Sequence, residues 1–147
     1  MSPTFPLGGL LRFRKLQEEQ AAADLARANA DRWRAEARRA IATNELAAHE
    51  LATNVDVGTW RKSIATRSAL RGMVTEAAAA TVTAMTDVQR SELAWSDARR
   101  RSVPLEKLAE KHLVRESVED LRQEQIVLDE VATRRSQRGA FRPDDVA

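Results

Sequence analysis

The chain has 147 residues, 24 Lys plus Arg against 22 Asp plus Glu, a formal net charge of +2, and no Cys. The near balance of charge argues against a strong cationic field, and the missing thiols exclude disulfides, thiolate metal sites and a Cys nucleophile. Hydrophobic residues reach 43%, leaning on Ala, with 4% aromatics, no Tyr, five Gly and four Pro; this favours slender helices in close contact over a β sandwich.

Residues 1–8 form a Pro-containing lead in which Phe5 and Leu7 are possible anchors. The start lacks a basic n-region and a long apolar core, so it does not read as a secretory signal. Gly8-Gly9 weaken the first turn, and a helix is expected over about 9–54. Its apolar seam runs Leu16, Ala23, Ala26, Ala30, Trp33, Ala37, Ala40, Ala47, Leu51, in three-then-four steps with lapses at Glu19 and Asn44. The breaker Val55-Asp56-Val57-Gly58-Thr59 predicts a tip loop over 55–59, with Thr59 as N-cap before Trp60.

A second seam follows: Trp60, Leu70, Val74, Ala77, Ala84, Val88, Trp95, Ala98, with a lapse at Arg67. It lies on a helix over about 60–102, in which Gly72 costs about 1 kcal/mol relative to Ala. Ser102-Val103-Pro104-Leu105-Glu106 reads either as a new N-cap with Pro near N1 or as a kink in one continuous helix. Helix is expected again over about 104–138, then a flexible tail over 139–147 that includes Pro143-Asp144-Asp145. The longest uncharged helical run, Ala77 to Thr86, falls short of the roughly 20 apolar residues of a membrane span. The chain reads as soluble.

The fold class is therefore all-α: an elongated antiparallel two-helix coiled-coil hairpin, its second arm longer and kinked or broken near Pro104. It forms a single helical domain. Docking the seams pairs Leu51 with Ser63, Ala40 with Val74, Trp33 with Thr81, Ala30 with Ala84, and Leu16 with Ala98. Cysteines at Ala30 and Ala84 should then crosslink. Residues beyond about 113 have no partner in this register, yet carry the apolar stripe Val114, Val118, Leu121, Leu128, Val131, Ala132, which is read as kept for a partner.

No catalytic set emerges. His49 and His112 fall at opposite ends of such a hairpin and read as surface residues, unable to share a metal. There is no HExxH, Walker A or GxGxxG. The adjacent carboxylates Glu18-Glu19, Glu119-Asp120 and Asp129-Glu130 point about 100° apart on a helix and read as solvated. Basic clusters at Arg12/Arg14/Lys15, Arg38-Arg39, Arg99 to Arg101 and Arg134-Arg135-Arg138 are interleaved with acids; nucleic acid is not expected as a partner. Trp33, Trp60 and Trp95 read as seam packing, with Trp60 partly free at the tip. No cofactor and no metal are expected.

The opening Phe5-Pro6-Leu7…Leu10-Leu11-Arg12-Phe13-Arg14, the segment Glu124 to Ala132 ending in an Asp-Glu-apolar-Ala step, and Arg134-Arg135 after it resemble the end motifs of the FliJ family of flagellar type III export proteins. Length and breaker position agree, while Pro104 departs from an unbroken second helix. The resemblance implies a cytoplasmic coiled coil at the flagellar base, held near the membrane only through partners and needed for motility. The resemblance further implies a part that is not an enzyme and is built like the central stalk of a rotary ATPase. The partners it implies are the hexameric export ATPase, the export-gate membrane protein and export chaperones. It implies ring contact through Leu7, Leu11, Arg14, Leu128, Asp129 and Glu130. Gate or chaperone contact is expected from Leu46, His49, Trp60 and Met73, taken as tip residues off the seam. The alternatives are a coiled-coil adaptor that homodimerises through its C-terminal helix, and a rotary-ATPase stalk subunit.

Overall fold

A computed structural model describes residues 4–140, with side chains through Arg138. It consists of α1, Gly8–Ala48, and α2, Val57–Ala140, joined by the loop 49–56. Among the described residues there is no strand, and the two helices form a hairpin. Two compact units are distinguished: one spans Phe13–Ser102, and the other combines the segment before Phe13 with the segment after Ser102.

The ends of the helices depart from expectation for local reasons. α1 stops at Ala48, its last turn closed by His49 N–H donating to the Glu45 carbonyl at 3.1 Å. Asn54 instead sits in the loop at φ 58°, a left-handed conformation that Asn tolerates better than most residues. The N-cap of α2 is Asp56, not Thr59. Its carboxylate accepts the Thr59 N–H at 3.1 Å and the Thr59 hydroxyl at 2.6 Å, and its carbonyl accepts the Trp60 N–H at 3.0 Å. Gly58, read as part of the breaker, lies in the first turn of α2. At Pro104 there is no new helix start, because α2 runs through it without interruption. Pro104 supplies no N–H to the Arg100 carbonyl, and the boundary between the two units falls beside it. α2 also continues through Gly139 and Ala140, where the tail over 139–147 is expected to begin; the rest of that segment, 141–147, lies outside the described residues.

Within the unit Phe13–Ser102, α2 turns the expected seam toward α1. Leu70, Val74, Ala77, Ala84, Trp95 and Ala98 are half-buried and Val88 is buried. Thr81, also buried, donates its hydroxyl to the Ala77 carbonyl at 2.9 Å, so its own donor is satisfied. Arg67, expected as a lapse, reaches across to donate to the His49 carbonyl at 2.8 Å. Beside it, Ser63 Oγ accepts the Ala52 N–H at 3.2 Å.

On α1 the expected seam is corrected. Leu16 is 64% exposed and Trp33 is 63% exposed, and Ala23, Ala26, Ala37, Ala40, Ala47 and Leu51 are exposed as well. The inward face is the opposite one, on which Ala35 and Ala42 are buried and Glu18, Ala21, Leu25, Ala28, Arg32, Leu46 and His49 are half-buried. α1 has Ala on both faces and large apolar residues on both, Leu16 and Trp33 outward and Leu25 and Leu46 inward, so periodicity alone supports either face. Counting in three-then-four steps from the His49–Arg67 contact places Leu46 level with Leu70, Ala42 with Val74, Ala35 with Thr81 and Ala28 with Val88. Cysteines at Ala35 and Thr81 are therefore expected to form an intramolecular disulfide, and those at Ala30 and Ala84 are not. Mass spectrometry of the oxidised double variants checks both.

Small residues in the seam limit its apolar stabilisation. A buried methyl contributes about 0.8 kcal/mol, against roughly 1.5–3 kcal/mol for a buried Leu or Val side chain. Polar contacts between α1 and α2 consequently carry unusual weight in this unit.

Candidate functional site

The strongest such contact lies at the end of the unit away from the loop. Ser102 is fully buried and donates its hydroxyl to the Glu18 carboxylate, which also meets the Arg99 guanidinium at 3.2 Å and Lys15 Nζ at 3.8 Å. The Arg99 guanidinium in turn lies 5.7 Å from the Trp95 ring centroid. Glu18 had read as a solvated acid and Ser102 as a helix cap. The available signal was the heptad spacing of Arg14, Ala21 and Ala28, which puts Glu18 on their face.

The Ser102 hydroxyl, followed by Lys15 and Arg99, holds the Glu18 carboxyl below its ordinary value against the opposing effect of burial. The Thr59 hydroxyl and nearby backbone N–H groups do the same for Asp56. A carboxyl with a folded pKa below its unfolded one stabilises the fold above the unfolded value, and that stabilisation is lost as pH falls through the folded value. Stability is thus expected to be flat near neutrality and to decline below about pH 4, the ordinary carboxylate range. Glu18→Gln should flatten part of that decline in urea titrations run at successive pH values.

In the other unit, the segment before Phe13 is anchored by one aromatic contact. The Phe5 ring packs edge-on against His112 with centroids 5.5 Å apart, and His112 Nδ1 lies 3.7 Å from Glu116. The Gly8 N–H donates to the Phe5 carbonyl at 3.0 Å, which ties that anchor to the start of α1. His112 is accordingly half-buried, as is His49, and neither is the plain surface residue expected.

Beyond Glu116 every described side chain of α2 is exposed. This includes Val118, Leu121, Ile126, Val127, Leu128 and Val131, each at least 50% exposed. The helix persists there on good helix formers and local pairs, Arg122 with Glu119 at 3.9 Å and Arg134 with Glu130 at 2.6 Å. The arrangement is a helix that displays apolar side chains without covering them.

The residues proposed for ring contact do not gather at one point. Leu7 is exposed and Leu11 half-buried next to the Phe5 anchor, whereas Leu128, Asp129 and Glu130 are exposed roughly 24 Å further along α2 from His112. Arg14 belongs to the unit Phe13–Ser102, where it donates to Gln17 at 2.9 Å and lies 5.8 Å from the Phe13 ring. Of the tip set, Leu46 and His49 lie on the seam, contrary to expectation, while Trp60 and Met73 are about half exposed. Met73 borders an open groove of about 390 Å³ together with Ala35, Ile41, Ala42, Ala77 and Ala80. Trp60, like Trp33, is not core; of the three Trp residues Trp95 alone is half-buried.

Among the described residues no cluster of His, Cys, Asp or Glu suits a metal ion. None of their helices is long and apolar enough to cross a membrane. What the two units offer is surface on paired and single helices.

A family profile described as "Flagellar FliJ protein" matches residues 3–140, nearly the whole chain. The chain belongs to the FliJ family. No curated protein and no solved structure matches it. FliJ membership makes the chain a component of flagellar protein export. The FliJ family is a structural part of that machinery rather than a known enzyme.

Proposed function

We propose that this chain is a stalk-like coiled coil that links the export ATPase ring to the export gate. The observation that supports it best is the uncovered apolar length of α2 from Leu113 to Val131. A single helix holding that much apolar surface in water is suited to a sleeve that buries it, and the central hole of a hexameric ring is such a sleeve. Leu128 supplies apolar contact there, and Asp129 and Glu130 fix orientation against the ring's cationic groups. Leu7 and Leu11 meet the rim, with Arg14 beyond them.

The gate or an export chaperone takes surface near the loop, where Trp60 and Met73 are accessible. Leu46 and His49 support that surface from the seam. The chain stands in the cytoplasm and reaches the membrane only through its partners. Adding the purified chain to the monomeric export ATPase tests the reading: it expects hexamer assembly and faster ATP hydrolysis. No change in either overturns the ring role.

A further inference from the structure

We propose that the outer stripe of α1 is a self-association surface whose occupant is the same stripe of a second copy of this chain, running antiparallel. The stripe is Leu16, Ala23, Ala26, Ala30, Trp33, Ala37, Ala40, Ala47, on the side of α1 opposite Ala35 and Ala42; all but the half-buried Ala30 are exposed, and at its end Leu16 borders an open groove with Ala98. Its two largest side chains, Leu16 and Trp33, are more than 60% exposed. Its heptad spacing selects a helix as the occupant.

What selects a second copy is that the stripe is a palindrome in chemistry. Reflection about the level between Asp31 and Arg32 sets Ala30 against Trp33, Ala26 against Ala37, Ala23 against Ala40, and Leu16 against Ala47. It also sets Glu19 against Asn44, so the two polar lapses of the seam meet in one layer. A twofold interface requires this self-complementarity, in which one residue meets another and the second meets the first.

The polar layer also decides direction and register. The Asn44 amide donates to the Glu19 carboxylate in the antiparallel pair. A parallel pair instead opposes Glu19 to Glu19 and Trp33 to Trp33, stacking two like charges and two of the bulkiest groups. A shift by one heptad sets Glu19 against Ala37 or Leu51 and leaves a carboxylate facing an apolar side chain, which is costly. Large meets small at Trp33 and Ala30, and small meets small around them, so the axes approach closely.

Flanking charges do not oppose the approach. Arg27 is paired with Asp24 and Arg34 with Asp31 within α1 itself, leaving that edge neutral. From Leu16 to Ala47 the contact runs roughly 47 Å. A strip of that length and about 10 Å width on each copy buries on the order of 1,000 Å² in total, at the threshold of a specific though not obligate interface.

The chain has no Cys, which makes crosslinking decisive. Ala26→Cys and Ala37→Cys are prepared as separate full-length proteins and oxidised alone and as a mixture. Antiparallel pairing puts residue 26 of one copy beside residue 37 of the other, while like positions lie roughly 16 Å apart. The expected result is a disulfide-linked dimer in the mixture and background in either protein alone. Adding Trp33→Asp to both proteins should abolish the linked dimer with an unchanged helical circular dichroism spectrum. Equal crosslinking in the single-variant samples, or none in the mixture with sedimentation velocity showing only monomer, overturns the proposal.

Discussion

Aspartate at Leu121, Leu128 and Val131 together is expected to abolish stimulation of the export ATPase and motility in complementation, with little change in thermal melting. All three side chains are at least half exposed in the chain alone, so no core contact is lost on substitution. The cost to the isolated helix is the propensity difference, of order 0.5 kcal/mol per site. Inside a ring the loss is different in kind. Each apolar side chain of this size contributes roughly 1.5–3 kcal/mol on burial, so three together weaken the complex by at least about a thousandfold. The aspartates also carry charge into a desolvated sleeve. ATP hydrolysis against added chain and swarming on soft agar read the functional loss, while circular dichroism reads the fold. Retained stimulation with all three aspartates present removes this face of α2 from the ring contact.

The hairpin is legible because two long seams with few Gly and Pro flank one short polar break, although the loop itself falls at 49–56, before Gly58. The α2 seam was legible for a related reason: Leu70, Val74 and Val88 are its branched apolar residues and all point inward. On α1 the pattern is ambiguous, because Ala and large apolar residues fall on both faces, Leu16 and Trp33 outward and Leu25 and Leu46 inward. The inward face carries Ala35 and Ala42 together with the polar residues Glu18, Arg32 and His49; Glu18 is held across the hairpin by Ser102 and Arg99, Arg32 pairs with Glu36 within α1, and His49 meets Arg67 through its backbone carbonyl. The Asp56 cap was missed because Asp56 and Thr59 both have capping chemistry and only the backbone shows which one leads. At Pro104 the residues allow either a helix start or a kink, and α2 runs through, a long helix tolerating one absent hydrogen bond.

For the candidate surfaces, exposure is legible where the register runs out of partner, beyond about residue 113, and every described side chain beyond Glu116 is exposed. It could not be inferred where a residue's face depended on the α1 seam, as with Leu46, His49 and Trp33. The resemblance carried by the end motifs does not depend on which way α1 faces, because those motifs are local in sequence, and the family is shown by the profile match over residues 3–140.

Ser102→Leu is expected to destabilise the unit Phe13–Ser102 by about 3–5 kcal/mol, a large share of the roughly 5–15 kcal/mol typical of a domain. Ser102 has no exposure, so the larger side chain has no room and forces α1 and α2 apart. The same change removes the hydroxyl that holds Glu18, whose side chain is only 12% exposed. Lys15 and Arg99 remain beside that carboxylate, but a half-satisfied polar cluster costs more than an apolar one. Two comparisons separate bulk from lost bonding. Ser102→Ala removes the bond without the bulk and should cost about 1.5–3 kcal/mol, the range for hydrogen bonds to charged groups. Ser102→Ala combined with Glu18→Leu should recover much of that loss, since removing both partners leaves nothing buried and unpaired. Urea unfolding followed by circular dichroism measures all three. An additive double variant would show that Glu18 and Ser102 act separately, and the joint between α1 and α2 would then rest on the Ala seam and the His49–Arg67 contact at the other end.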